Sequence, residues 1–172
     1  MKRKYGSPMG GETLWFVMVL CLSLGSCQPY QKAGSLPAIP AGATAIGREE
    51  CSDCHEKQAE VLGRTLHHKV DFKKWGLEEG CEGCHGPGSA HSAEAEEADK
   101  PKKIVAFQKE HPRSQSEVCL TCHRRDKERQ DFRRSQHSLT DVACTECHQV
   151  HKGGVREANL KQSSPDLCYT CH

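Results

Sequence analysis

One short pattern supplies most of the chemistry available to this chain: two cysteines separated by two residues and followed at once by histidine. It occurs five times, as Cys51-Ser-Asp-Cys54-His55, Cys81-Glu-Gly-Cys84-His85, Cys119-Leu-Thr-Cys122-His123, Cys144-Thr-Glu-Cys147-His148 and Cys168-Tyr-Thr-Cys171-His172. The chain has 12 cysteines in 172 residues, far above ordinary usage, and all ten that follow Cys27 fall in these copies. Two thiols at this spacing can each add to a vinyl group of one haem and form thioethers. The histidine that follows then stands beneath the iron as proximal ligand. Zinc also uses Cys-x-x-Cys, but a structural zinc site joins two such hooks and has no use for a histidine after every one. A disulfide framework would account for the cysteines and leave the regular histidine without a reason. The pattern points to five covalently attached haem c groups, with His55, His85, His123, His148 and His172 as proximal ligands.

Each iron has a second axial position. Six histidines remain for it: His67, His68, His91, His111, His137 and His151. The count fits bis-histidine ligation with one ring to spare. His151 lies three residues after His148, on the proximal side of that haem, so it is expected to serve a neighbouring one. The same reasoning applies less strongly to His91, which follows His85 across Gly86-Pro87-Gly88. His91, His137 and His151 are the favoured distal ligands. One of His67 and His68 is expected to join them, with His67 preferred. His111, before Pro112 in a polar stretch, is the weakest candidate. Without it one iron keeps an open or non-histidine position.

The elements that hold these groups must be short. The first cysteines of successive motifs are 30, 38, 25 and 24 residues apart. That leaves about 29 residues of mature chain per haem, so the haems must be close neighbours and form much of the core. Side chains alone would make a thin one, since only 35% of residues are hydrophobic and 5% aromatic. Cofactors or metals are the usual remedy for such a chain. The motifs read as helical. Ser114-Gln-Ser-Glu117 has capping-box spacing before motif 3, and Ser164-Pro165-Asp166 places serine at an N-cap and proline at N1 before motif 5. Residues 49–66 fit one helix carrying motif 1. No run alternates as a strand. The expected fold is mainly α with much irregular loop, a haem-packed cytochrome c with little or no β-sheet.

The start of the chain reads as an export signal. Lys2, Arg3 and Lys4 precede an apolar run of 11 residues, Leu14 to Leu24, which is too short to span a bilayer. Leu24-Gly25-Ser26-Cys27 resembles the lipobox of bacterial lipoproteins, which implies lipidation of Cys27 and cleavage before it. The alternative is an ordinary secretory peptide cut after Ser26. Cys21 lies inside the apolar run and reads as filler. The expected organisation is a lipoprotein-type signal peptide over 1–26, a flexible tether over 27–47 and a pentahaem domain over 48–172. Losing Lys2, Arg3, Lys4 and Glu12 takes the formal charge from +1 to about −1. Nothing in that balance points to nucleic acid. Within the domain, Arg124, Arg125, Lys127, Arg129, Arg133 and Arg134 form a basic stretch, and Glu94, Glu96, Glu97 and Asp99 an acidic one. They read as solvated faces first; the alternative is arginines that pair with haem propionates or dock an acidic redox partner.

The order of several phrases carries a resemblance. They are Cys81-Glu-Gly-Cys84-His85-Gly86-Pro87-Gly88-Ser89-Ala90-His91, Ser135-Gln136-His137, Cys144-Thr-Glu-Cys147-His148 with His151, and Ser164-Pro165-Asp166-Leu167-Cys168-Tyr169-Thr170-Cys171-His172. The sequence resembles the N-terminal half of the decahaem cytochromes that work with outer-membrane porins in extracellular electron transfer. It is also similar to the small pentahaem electron donor of the formate-dependent nitrite reductase system. The resemblance implies low-potential bis-histidine haems in a line, acting as a relay in anaerobic respiration. Electrons would come from a quinol-oxidising membrane cytochrome and leave to a terminal reductase or an outer-membrane porin-cytochrome. The location would be the periplasmic side of the bacterial cell envelope, reached through a lipid anchor. A competing reading is a reductase of a small oxyanion with one open iron. The lysine that replaces a motif histidine in the nitrite reductases is absent, so an electron carrier is the preferred reading over an enzyme.

Overall fold

Two cysteines at i and i+3 lie on one face of a helix, about 5–6 Å apart at Cβ, so a haem hook asks for one helical turn and little more. The computed structural model of the chain, which describes residues 37–151 and 158–172, has this economy. Its helices are α1 (Arg48–Cys54), α2 (Glu56–Gly63), α3 (Glu82–His85), α4 (Ser89–Ser92), α5 (Pro112–His123), α6 (Gln136–Leu139), α7 (Cys144–Cys147) and α8 (Asp166–Tyr169). Single 3-10 turns, among them Leu66–Lys69 and Phe72–Trp75, and irregular loops join them. Among the described residues there is no strand or sheet, only an isolated antiparallel bridge between His148 and Leu160. The chain is therefore mainly α with irregular loops. No helix among the described residues is long and apolar enough to cross a membrane. The expected signal peptide and the lipidation candidate Cys27 lie outside the described residues.

Three local expectations are corrected. Residues 49–66 are not one helix. The backbone leaves the helical region at His55, with φ −117° and ψ 42°, so α1 ends and α2 begins on either side of that ring. Ser114 does not cap α5. Pro112 at N1 starts the helix earlier, His111 is the N-cap, and Glu117 reaches out to Arg133 at 2.7 Å instead of back to the helix start. Ser164 does not cap α8 either. That helix begins at Asp166, and the Ser163 hydroxyl reaches the Asp166 carboxylate at 2.6 Å.

Among the described residues the buried apolar side chains are Pro37, Leu62, Phe72, Val105, Leu120 and Ala143, and no large side chain is fully buried. Polar clamps do much of the positioning. Glu82, one of the two residues between the cysteines of motif 2, is 4% exposed. Its carboxylate accepts from the backbone N–H of Ile46 (3.0 Å), Gly47 (2.9 Å) and Gly88 (2.7 Å). It thus ties the approach to α1 to motif 2. Thr44 and Ser89 add a reciprocal pair of bonds, so from Thr44 to Gly47 the stretch expected as tether is laid along motif 2. Gly83 lets Phe72 pack onto the same turn. A Cβ there would stand 2.7 Å from both Phe72 Cε1 and the Glu78 carbonyl oxygen.

Motifs 3 and 4 are stitched in the same way. Buried Ser116 accepts from the backbone N–H of Cys144 at 3.3 Å, and Gln115 Oε1 accepts from Thr145 at 2.5 Å. Arg113 holds the end of α6 through the carbonyls of Ser138 (3.3 Å) and Leu139 (3.2 Å) and an ion pair with Asp141 at 3.0 Å.

Candidate haem sites

The clamps bring histidines together in pairs. His55 faces His91 with ring centroids 6.1 Å apart and planes inclined by 22°. His85 faces His151 at 5.9 Å and 28°. His67 faces His123 at 6.1 Å and 73°, and His137 faces His172 at 6.0 Å and 44°. Every pair joins a motif histidine to one of the six others. His151 meets motif 2, not the motif beside it, and His91 meets motif 1. His68 has no facing ring of this kind; its Nδ1 takes a short hydrogen bond from Arg48. His111 caps α5 with Nδ1 accepting from Arg113 N–H at 3.3 Å. Among the described residues His148 also lacks a facing imidazole.

The second nitrogen of each ring shows how it is held. His85 Nδ1 donates to the Val105 carbonyl at 2.8 Å, and Val105 N–H donates back to the His85 carbonyl at 3.0 Å. His91 Nδ1 donates to the Lys100 carbonyl at 3.0 Å, and His148 Nδ1 to the Ala158 carbonyl at 2.8 Å. His123 Nδ1 donates to the Asp126 carboxylate at 2.6 Å. These bonds occupy Nδ1 and leave Nε2 free. His67 and His151 have buried Nδ1 atoms without a hydrogen-bond partner; backbone of Gln58 lies near His151 but outside hydrogen-bonding geometry. Burial keeps His67, His85 and His151 below the ordinary imidazole pKa, which favours the neutral ring a metal needs.

The thiols place successive motifs beside one another. Burial first, then Cys81 and Glu82, pushes Cys51 up to about 11, so the first cysteines of motifs 1 and 2 are neighbours. Burial also pushes Cys84 up to about 11, with Cys122 of motif 3 contributing. A hydrogen bond with Cys144, then burial, raises Cys119, which joins motifs 3 and 4. Cys147 is raised by burial, with Cys168 and Cys171 of motif 5 adding to it. Each motif thus has a cysteine near one of the next motif.

Both charged stretches are paired in part within the chain. Arg129 meets Asp126 at 3.1 Å, Arg133 meets Glu117 at 2.5 Å, and Arg134 meets Asp131. Lys100 meets Glu97 at 2.9 Å, and Lys102 meets Asp99. Such exposed pairs contribute little to stability. The positioning residues Glu82, Gln115, Ser116, Arg113 and Asp126 were not singled out from the sequence. Asp126 alone carried a local signal, standing three residues after a motif histidine.

The ring pairs fit an iron. Metal–imidazole bonds of about 2 Å on each side, added to the distance from nitrogen to ring centre, place two axial rings roughly 6 Å apart. The four pairs have that separation, and the orphaned Nδ1 atoms of His67 and His151 belong to rings in these pairs. Among the described residues no group of three or more histidines, cysteines or acids could enclose a metal ion, as a tetrahedral zinc site would require. The family described as cytochrome c-type protein NrfB-like matches residues 81–171, more than half of the chain. The chain belongs to that family. It is also 35% identical over 134 residues to the multiheme cytochrome MtrA of Shewanella baltica (strain OS185). That match covers 73% of this chain and 38% of the relative, so the chain spans well under half of that protein's length. No solved structure matches. As a member of the family, the chain is a multihaem c-type cytochrome, a protein of electron transfer with covalently bound haem c.

Proposed function

We propose that this chain is a five-haem relay of the bacterial cell envelope. The observation that carries the reading is the set of four facing imidazole pairs, 5.9 to 6.1 Å apart, each including the histidine of a different attachment motif. Cys51 and Cys54, Cys81 and Cys84, Cys119 and Cys122, Cys144 and Cys147, and Cys168 and Cys171 would each form two thioethers with one haem. His55 with His91, His85 with His151, His123 with His67 and His172 with His137 would hold four irons from both sides. Haem c, when bound, supplies one-electron chemistry. The chain's own residues fix the spacing of neighbours and hold the imidazoles of His85, His91, His123 and His148 in the Nδ1–H tautomer. No substrate pocket is needed.

The leader over 1–26 supports export, and Cys27 supports a lipid anchor at the periplasmic face of a membrane. In that place the chain would accept electrons from a quinol-oxidising membrane cytochrome and deliver them to a terminal reductase or an outer-membrane porin-cytochrome. The test is the haem count by intact mass, with the electron paramagnetic resonance spectrum of the oxidised holoprotein. Five haems with low-spin signals are expected; fewer haems than motifs would sink the relay.

One observation favours a second reading. His148 has no facing imidazole among the described residues, while His68 and His111 are engaged elsewhere. An iron at motif 4 with an open sixth position would suit binding or reduction of a small oxyanion. A single high-spin signal among the five would select this reading.

A further inference from the structure

The group that takes the Nδ1 proton of an axial histidine sets how strongly its Nε2 donates to the metal. In His85, His148 and His91 that group is a backbone carbonyl, at 2.8, 2.8 and 3.0 Å. In His67 and His151 it is absent. Among the described histidines only His123 gives this proton to a carboxylate, Asp126 Oδ2 at 2.6 Å. Arg129 Nη1 shares the same oxygen at 3.1 Å. The three groups form a short line from ring to carboxylate to guanidinium, on the turn that follows motif 3.

We infer that Asp126 is a positioning residue that lowers the midpoint potential of the haem held by Cys119 and Cys122, and that Arg129 limits the effect. The inference rests on the relay reading. A carboxylate draws the Nδ1 proton toward itself without removing it, so the imidazole takes on imidazolate character. A more strongly donating ligand favours ferric over ferrous iron. One electron is exchanged with a neighbouring haem, and the proton stays between His123 and Asp126. Motif 3 is the middle of the five, so the row would carry a drop in potential at its centre. Electrons crossing it would meet an uphill step, and the strength of one hydrogen bond would set its height.

The geometry also gives this haem a spectroscopic label. His123 and His67 are inclined by 73°, whereas the pairs at motifs 1 and 2 are inclined by 22° and 28°. Near-perpendicular axial rings give a low-spin ferric signal with a large principal g-value, distinct from the rhombic signals of near-parallel rings. The experiment is a potentiometric titration of the holoprotein followed at that signal. Asp126→Asn is expected to raise its midpoint and leave the rhombic signals in place. Arg129→Gln, which frees the shared oxygen, is expected to lower it. Glu128→Gln is the control. Its carboxylate lies 3.8 Å from Arg129 and is not bonded to His123, so it removes a nearby charge and leaves the bond between His123 and Asp126 in place. An unmoved midpoint in Asp126→Asn, or the same shift in Glu128→Gln, would overturn the inference. If Asp126→Asn fails to take up five haems, Arg129→Gln decides alone: a downward shift supports the inference and no shift overturns it. A wild-type protein with fewer haems than motifs fails on the count before any potential is read, and that outcome strikes the relay reading itself.

Discussion

His85 and His151 face each other at 5.9 Å with planes inclined by 28°, although one ends the second attachment motif and the other follows the fourth. Val105 fixes the first ring through paired backbone bonds, and the edge of Phe107 packs on it at 5.3 Å. In the proposed relay the iron at motif 2 would take its two axial rings from distant segments of the chain, so that site would be complete only once the chain has folded across it.

The facing of His151 and His85 gives a direct test. His151→Ala should leave five haems in place, because the thioethers at Cys81 and Cys84 do not depend on it. It should convert one low-spin haem to high spin in the resonance spectrum. His68→Ala, which removes the ring held by Arg48, should leave all signals unchanged. A low-spin spectrum retained in His151→Ala would show that the facing ring is not a ligand.

Glu82 should act through stability. Its carboxylate satisfies three backbone N–H groups in a site 4% exposed to solvent. Hydrogen bonds to a charged group contribute about 1.5–3 kcal/mol each and do not add fully, so Glu82→Ala should cost about 3 kcal/mol in denaturant unfolding of the holoprotein. Hydrogen exchange should accelerate at the amides of Ile46, Gly47 and Gly88 in particular. Protection unchanged at those three positions would remove the clamp from the account.

The hooks were legible in the sequence because their chemistry is local: two thiols and a ring on one helical turn are specified by spacing alone. The helical class followed from the same fact. The pairing of rings was not legible, since His67 reaches His123 and His137 reaches His172 only through the folding of loops between them. Glu82 was hidden in a position that the motif leaves unspecified, and its role appears only when Ile46 and Gly88 arrive. The break at His55 went unread because helix propensity continues through it, while the ring turns to meet His91. The capping box before motif 3 failed because Pro112 offered an earlier start.

Gly83 tests how tightly motif 2 is packed. A methyl group there would meet Phe72 Cε1 and the Glu78 carbonyl at 2.7 Å, closer than real contacts allow. Gly83→Ala should therefore cost about 1–3 kcal/mol. Phe72→Leu in the same chain should recover part of that loss, giving less than the sum of the two single effects. Strict additivity in denaturant unfolding would mean that the Phe72 ring is not what the methyl group meets.

The last prediction concerns the chain without its haems. Six buried apolar side chains among the described residues, with no large one fully buried, are too few to offset the conformational entropy of ordering loops this long. The flat apolar faces of the haems would supply the missing buried surface, and each thioether pair would shorten the free chain on either side. Chain produced without haem attachment, kept reduced so that its ten motif thiols stay free, should therefore show no cooperative thermal transition by circular dichroism and should be cut rapidly by protease. The holoprotein should melt in a single sharp transition. A sharp transition in the haem-free chain would mean that the polar clamps at Glu82, Gln115, Ser116 and Arg113 hold the fold unaided, and that the haems are guests of a structure already formed.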